Sequence, residues 1–174
     1  MGGGKAATAL LAAASREALT RARERLERSL AEDACATVID CASSALGGVD
    51  ADEARGTLQR AISTHFARCS EGATVVLHDV TNADPAHVPA LLPALSENGA
   101  YAHHGRAIST TRGTFLLLAE LPDVRASVGD EKAYTNAAKR ALLETMRARQ
   151  GGDADGTALA FRRRIDVAIP IDPA

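Results

Sequence analysis

The chain has no tryptophan, and aromatic residues make up 3% of its 174 positions. A core filled without large rings draws on Ala, Leu and Val, which favours helices and a β-branched sheet over an aromatic-rich β-sandwich. Nor is one sign of charge in excess: 20 Lys and Arg stand against 22 Asp and Glu, a formal net charge of -2. That balance excludes the electrostatic footprint of a nucleic-acid binder or of a protein held on an anionic membrane surface. Long apolar runs are missing too, none approaching the roughly 20 residues of a membrane span. The opening "GGGKAATALLAAAS" has a short apolar core, but no cleavage site precedes the charged "REALTRARERLERS". It does not read as a signal peptide. Cysteine is scarce: Cys35, Cys41 and Cys69 are odd in number and lack C-x-x-C spacing. Cys35 and Cys41 flank an apolar segment and read as small buried hydrophobes. The cysteines do not decide the redox compartment.

What is present suits one domain with a real core, 46% hydrophobic and 24% charged. Residues 6–31 are dense in Ala, Leu, Arg and Glu without Pro or Gly, which predicts a long helix. "CATVIDC" (35–41) reads as a short buried strand followed by a turn at Gly47-Gly48. Residues 50–69 carry Leu58, Ile62 and Phe66 at helical spacing. "ATVVLHDV" (73–80) is the clearest strand, and "NADPAHVPALLPALSEN" starts a helix with Asn82 or Asp84 as N-cap and Pro85 at its first position. A hairpin-like loop over 99–113 leads into "TFLLLAEL" (114–121), a strand buried on both faces. Residues 130–150 form a helix with acids first and bases last, "GGDADG" is a flexible break, and "RRRIDVAIPIDP" is a basic turn running into a final strand. Alternating helices and strands mean βαβ crossovers and a parallel sheet.

Two places carry chemistry. Gly2, Gly3, Gly4 and Lys5 precede a predicted helix, the arrangement a phosphate cradle needs; a Gly-rich start also fits a plain terminus. Asp79 ends an apolar strand, where a carboxylate can direct a metal or simply cap a turn. His103 and His104 are adjacent and point to opposite sides of a strand, with no third ligand in phase.

The span from "VVLHDV" to "TFLLLAEL" resembles the Walker B to sensor 1 region of AAA+ ATPases of the torsin/Clp branch. Asp84-Pro85, Leu91-Leu92, Ala94-Leu95, Gly99 and Gly105-Arg106 fall at matching places, and "FRRRIDVAIPIDP" resembles the branch's R-I-D…P segment. The resemblance implies a P-loop-type parallel sheet flanked by helices: one incomplete AAA+ large subdomain over residues 1–174, lacking the first strand and the helical lid. It implies ATP and Mg²⁺ as cofactors, with Gly2, Gly3, Gly4, Lys5 and Ala6 at the phosphate loop. Asp79 would be the Walker B aspartate and metal residue, Glu120 the sensor 1 position, and Arg164 an arginine finger serving a neighbouring subunit.

Departures from the pattern bear on activity. Val80 stands where the catalytic Glu belongs, Ala6 where a hydroxyl would hold the metal, and Glu120 where an amide orients water. The expectation is a chaperone or remodelling type of AAA+ protein that binds ATP with weak or absent hydrolysis. The alternative is a non-catalytic protein-interaction module that kept the scaffold and lost nucleotide. Implied partners are a protein client or AAA+ subunits in a ring or other oligomer. The implied compartment is the endoplasmic reticulum lumen for a torsin-like protein with a missing N-terminus, and otherwise cytoplasm or an organelle.

Overall fold

"ATALLAA" decides the architecture. In the computed structural model, which describes residues 4–42, 50–69, 71–84, 87–125, 130–150 and 156–171, it is a strand and not part of a helix. This β1 (Ala7–Ala13) leads into α1 (Arg16–Leu30), then β2 (Ala36–Asp40), α2 (Ala51–Arg68) and β3 (Thr74–His78). A 3₁₀ turn (Val80–Asn82), α3 (Val88–Leu95), β4 (Ala100–His103), β5 (Arg106–Ser109) and β6 (Thr114–Glu120) follow. The chain continues through α4 (Glu131–Gln150) and α5 (Thr157–Arg164) into β7 (Val167–Ile171).

The main sheet has the order β2-β3-β6-β1-β7 with every pairing parallel, and β4-β5 form a separate antiparallel hairpin. The expected parallel sheet flanked by helices is therefore present, and its expected lack of a first strand is corrected. β1 lies between β6 and β7, in register Leu10↔Leu117 and Leu10↔Ala168. Ala and Leu have high intrinsic helix propensity, but a strand held by two neighbours satisfies its whole backbone and buries both faces, and that tertiary gain outweighs propensity. The helix begins only at Arg16, where Ser15 Oγ accepts a hydrogen bond from the Ala18 N–H as an N-cap. A serine followed by Arg-Glu-Ala was the local signal that the helix starts late.

The two faces of the sheet are covered unequally. Leu10, Ala12, Val75, Leu77, Phe115 and Leu117 belong to the large core shared with α2 to α5. The opposite face, with Ala13, Val76 and Leu118, packs on Ala18, Leu19 and Ala22 of α1. Leu11, Leu116 and Ile171 there are only partly buried, and Ile169 is 46% exposed.

Edge strand β7 is closed to further pairing. Outward N–H groups alternate along a strand. Ala168 donates its N–H to Thr135 Oγ1 at 3.0 Å, and two residues on Pro170 has none to give. The expected helix after Asp84 starts later, with Pro89 in its first turn. Pro85, Gly47, Gly48 and most of "GGDADG" lie outside the described residues. Gly99 is a position where only glycine fits: a Cβ there would sit 2.6 Å from Pro93 O and 2.6 Å from Thr110 Oγ1.

Cys35, read as a small buried hydrophobe, is instead joined in a disulfide to Cys69, with Cα atoms 5.6 Å apart, linking the approach to β2 with the end of α2. Cys41 is free, and its burial, with smaller contributions from Asp40 and Asp79, pushes the thiol pKa up to about 12. Three consequences are measurable. Thiol titration should find no reactive cysteine in the native protein, one after denaturation, and three after denaturation with reductant. Reduction should lower unfolding free energy by about 3–4 kcal/mol, the loop-closure value for this separation, in chemical denaturation. Gly99→Ala should cost about 1–3 kcal/mol by the same measurement.

Candidate functional site

In an open parallel sheet, ligands bind outside the carboxyl ends of the strands where the strand order reverses, here beside β1. Asp79 follows the last residue of β3, and Glu120 ends β6. Asp79 is 5% exposed, and its backbone has φ 61°, the left-handed region that Asp tolerates better than most residues. That conformation turns its carboxylate across the sheet ends, where Oδ1 accepts from Asn82 Nδ2 at 2.9 Å and Thr81 Oγ1 at 3.4 Å.

Its other oxygen meets a cation from the same chain. Arg16, the first residue of α1, places Nη1 2.5 Å from Asp79 Oδ2 and Nη2 3.0 Å from Glu120 Oε2. The hydrogen bond to Asp79 raises the guanidinium pKa above its ordinary value, more than partial burial lowers it. A planar fork bridging two carboxylates uses the geometry for which Arg is suited. Arg149 of α4 braces the group from behind, donating to Thr81 O at 3.1 Å and to the Asn82 amide oxygen. Next to it, Arg23 pairs with Asp40 at 3.2 Å, and the His78 ring lies 3.5 Å from the other Asp40 oxygen. Sequence reasoning placed Asp79 and Glu120 and missed Arg16, Arg23 and Arg149. No local pattern marks an arginine whose partners are distant in sequence.

The residues present do not fit a nucleotide triphosphate in this crevice. A phosphate loop needs glycine N–H groups and a free helix N-terminus. Here Ala14 and Ser15 alone join β1 to α1, with neither glycine nor lysine. Ser15 Oγ takes the Ala18 N–H, one of the donors that a phosphate at this helix end would use. Arg16 lies where the outer phosphates and metal would meet Asp79. Val80, at the catalytic Glu position, is 2% exposed and packs in the main core. Among the described residues no group of three or more His, Cys, Asp or Glu could hold a metal ion.

The other expected site residues lie elsewhere. Gly2 and Gly3 fall outside the described residues. Gly4, Lys5 and Ala6 precede β1, so they sit at the amino end of a strand about 20 Å long, with Asp79 at the other end. They do not form a cradle for that carboxylate: a Cβ on Gly4 would touch nothing, Ala6 is buried, and Lys5 pairs with Asp166 at 2.8 Å. Arg164 ends α5 at the same amino end. Its Nε donates to Ser96 Oγ at 2.9 Å and its Nη1 to Ala160 O at 2.7 Å, which turns the side chain inward.

No protein-family model matches the sequence, and no curated protein matches it either. Solved structures do match. The S. cerevisiae Hsp104–ADP complex covers 97% of this chain at 15% identity, with a TM-score of 0.56. The S. cerevisiae Hsp104–casein complex in its extended conformation covers 97% at 11% identity, with a TM-score of 0.58. A closed-state Hsp104 structure with ATPγS and casein covers 96% at 14% identity and 0.55. The chain spans 29% of the length of each of these. At such identities the likeness shows fold alone, and that fold is of the AAA+ large-subdomain kind, with a five-strand parallel sheet flanked by helices.

Removing the internal cation exposes its role. Arg16→Ala leaves the buried Asp79 carboxylate without its ion pair and should lower stability by about 1–3 kcal/mol, discounted because the Arg16 side chain is 50% exposed. Arg16→Ala combined with Asp79→Asn should recover part of that loss in a double-mutant cycle, since no uncompensated charge then stays buried.

Proposed function

We propose that this chain is a non-catalytic protein-interaction module on an AAA+ scaffold, in which an internal arginine has taken over the place of nucleotide. The observation that carries the reading is Arg16 bridging Asp79 and Glu120 at the end of a two-residue β1–α1 connection. A site whose carboxylates already share a guanidinium has no phosphate cradle to gain from ATP and no side chain to activate water. The sheet face beneath α1 supports the interaction half of the proposal. Parallel sheets bury both faces, and here Leu11, Leu116 and Ile171 stay partly open beside the exposed Ile169.

A chaperone-type setting in the torsin/Clp branch, with a protein client or a companion subunit, is part of the same proposal. Its support is the motif resemblance and the fold shared with Hsp104, one of whose structures was solved with casein. The Cys35–Cys69 disulfide favours an oxidising compartment such as the endoplasmic reticulum lumen. Among the described residues no helix is long and apolar enough to cross a membrane.

Titration with ATP and Mg²⁺ tests the reading. The expected outcome is no steady-state turnover, and no Mg²⁺-dependent binding that Asp79→Ala alters. Saturable micromolar binding abolished by Asp79→Ala would overturn it. For the face under α1, Ile169→Glu should leave stability within about 0.5 kcal/mol while weakening any self-association measured by sedimentation or partner capture.

A further inference from the structure

Lysine is rare in this chain, and arginines make most of its ion pairs. Of its 20 basic residues only Lys5, Lys132 and Lys139 are lysines. All three lie at the amino end of the sheet: Lys132 and Lys139 are seven residues apart on α4, and Lys5 precedes β1. Between the first turns of α4 and the start of edge strand β7 lies an open cleft of about 560 Å³, which Lys132, Lys139, Thr135, Asn136, Glu131 and Asp166 help to line. Lys5, outside the cleft, pairs with the lining Asp166 at 2.8 Å.

We propose that this cleft binds a small phosphoryl dianion, with Lys132 and Lys139 as its charged contacts. The electrostatics select charge and size. The Lys5–Asp166 pair is neutral, so Asp166 does not repel an anion. Lys132, Lys139 and the neighbouring Arg162 then outweigh Glu131 by two positive charges. A compact ammonium on a flexible stem holds phosphate as a point charge, where guanidinium would demand a planar bidentate partner. Lys139 Nζ gives one hydrogen to Ile165 O at 2.5 Å and has two more to donate. Thr135, 9% exposed, accepts from the Ala168 N–H through Oγ1, so its own O–H can donate toward the cleft. The exposed amide of Asn136 adds a neutral donor.

Lys139 also carries a mark of crowding by like charge. Its pKa is lowered, first by burial and then by Arg162, with Lys5 adding to the effect and Asp166 opposing it. An anion in the cleft would offset the like-charge part, because an opposite charge beside the amine stabilises its protonated form. The structural alternative is that Lys139 merely caps the carbonyl end of α5. That role accounts for one of its hydrogens and for neither Lys132 nor the gathering of every lysine here. The site is independent of the nucleotide crevice, since it lies at the opposite end of the strands.

Inorganic phosphate, phenyl phosphate and chloride at matched ionic strength would be titrated against the full chain by calorimetry. The same ligands would be present during acetic anhydride labelling of the three lysines, read by mass spectrometry. Phosphoryl ligands should bind saturably and slow acetylation of Lys132 and Lys139. The double variant Lys132→Gln/Lys139→Gln should weaken binding by about tenfold or more, and Asp79→Ala should leave it unchanged. That last arm separates failure here from failure of the functional reading above. Tighter binding of phenyl phosphate assigns the cleft to an organic monoester, and tighter binding of inorganic phosphate assigns it to the free ion. The proposal is overturned if chloride gives the same response or if the double variant binds as well as the parent. Should Lys139→Gln fail to fold, the unsubstituted chain decides: labelling of Lys132 and Lys139 that phosphate does not slow overturns it equally.

Discussion

The guanidinium of Arg16 is the tie on which the carboxyl end of this sheet depends. Two carboxylates on adjacent strands, one buried and one half-buried, repel each other unless a cation stands between them. Here the helix that follows β1 supplies it from its first residue. One side chain thus joins α1 to β3 and β6, holds Asp79 in its left-handed backbone, and lets the β1–α1 connection shrink to two residues. The absence of glycine and lysine from that connection, the burial of Val80 and the capping of the Ala18 N–H by Ser15 agree with an internal cation. Each would be a defect in a hydrolytic site, and each is self-consistent once the positive charge is internal.

How much of this was legible depended on whether the deciding contact was local. β3 and β6 are continuous apolar runs, α2 carries a clean helical stripe, and the β4–β5 hairpin is framed by Gly99 and Gly113. All of these were readable because their signal lies within one element. β1 was not. Its Ala and Leu content favours a helix in isolation, and only the two neighbouring strands, more than a hundred residues away in sequence, make it extended. That single misreading produced the expectation of a missing strand; of the residues expected at the phosphate loop, Gly4, Lys5 and Ala6 lie before β1, at the end of the strand away from Asp79. The Ser15 N-cap could have corrected it.

The site was half legible for the same reason. Asp79 and Glu120 end apolar strands, so their place at the sheet edge follows from the strand pattern. Arg16, Arg149 and Arg23 reveal their roles only when the sheet order is known, because an ion pair between residues 16 and 79 leaves no periodic trace. The cysteines behaved likewise. Three cysteines allow three pairings, and Cys35 and Cys69 come together only because β2 and the end of α2 are brought side by side.

The two ends of the strands have diverged in opposite senses. At the carboxyl end, acids and arginines satisfy one another, and Arg149 and Asn82 complete a network that needs no ligand. At the amino end, Lys5 saturates Asp166, and the remaining cations face an open cleft with Lys139 discouraged from holding its proton. Lys132 and Lys139 on α4, with Lys5 just before β1, put the proposed anion at the end of the strands opposite Asp79.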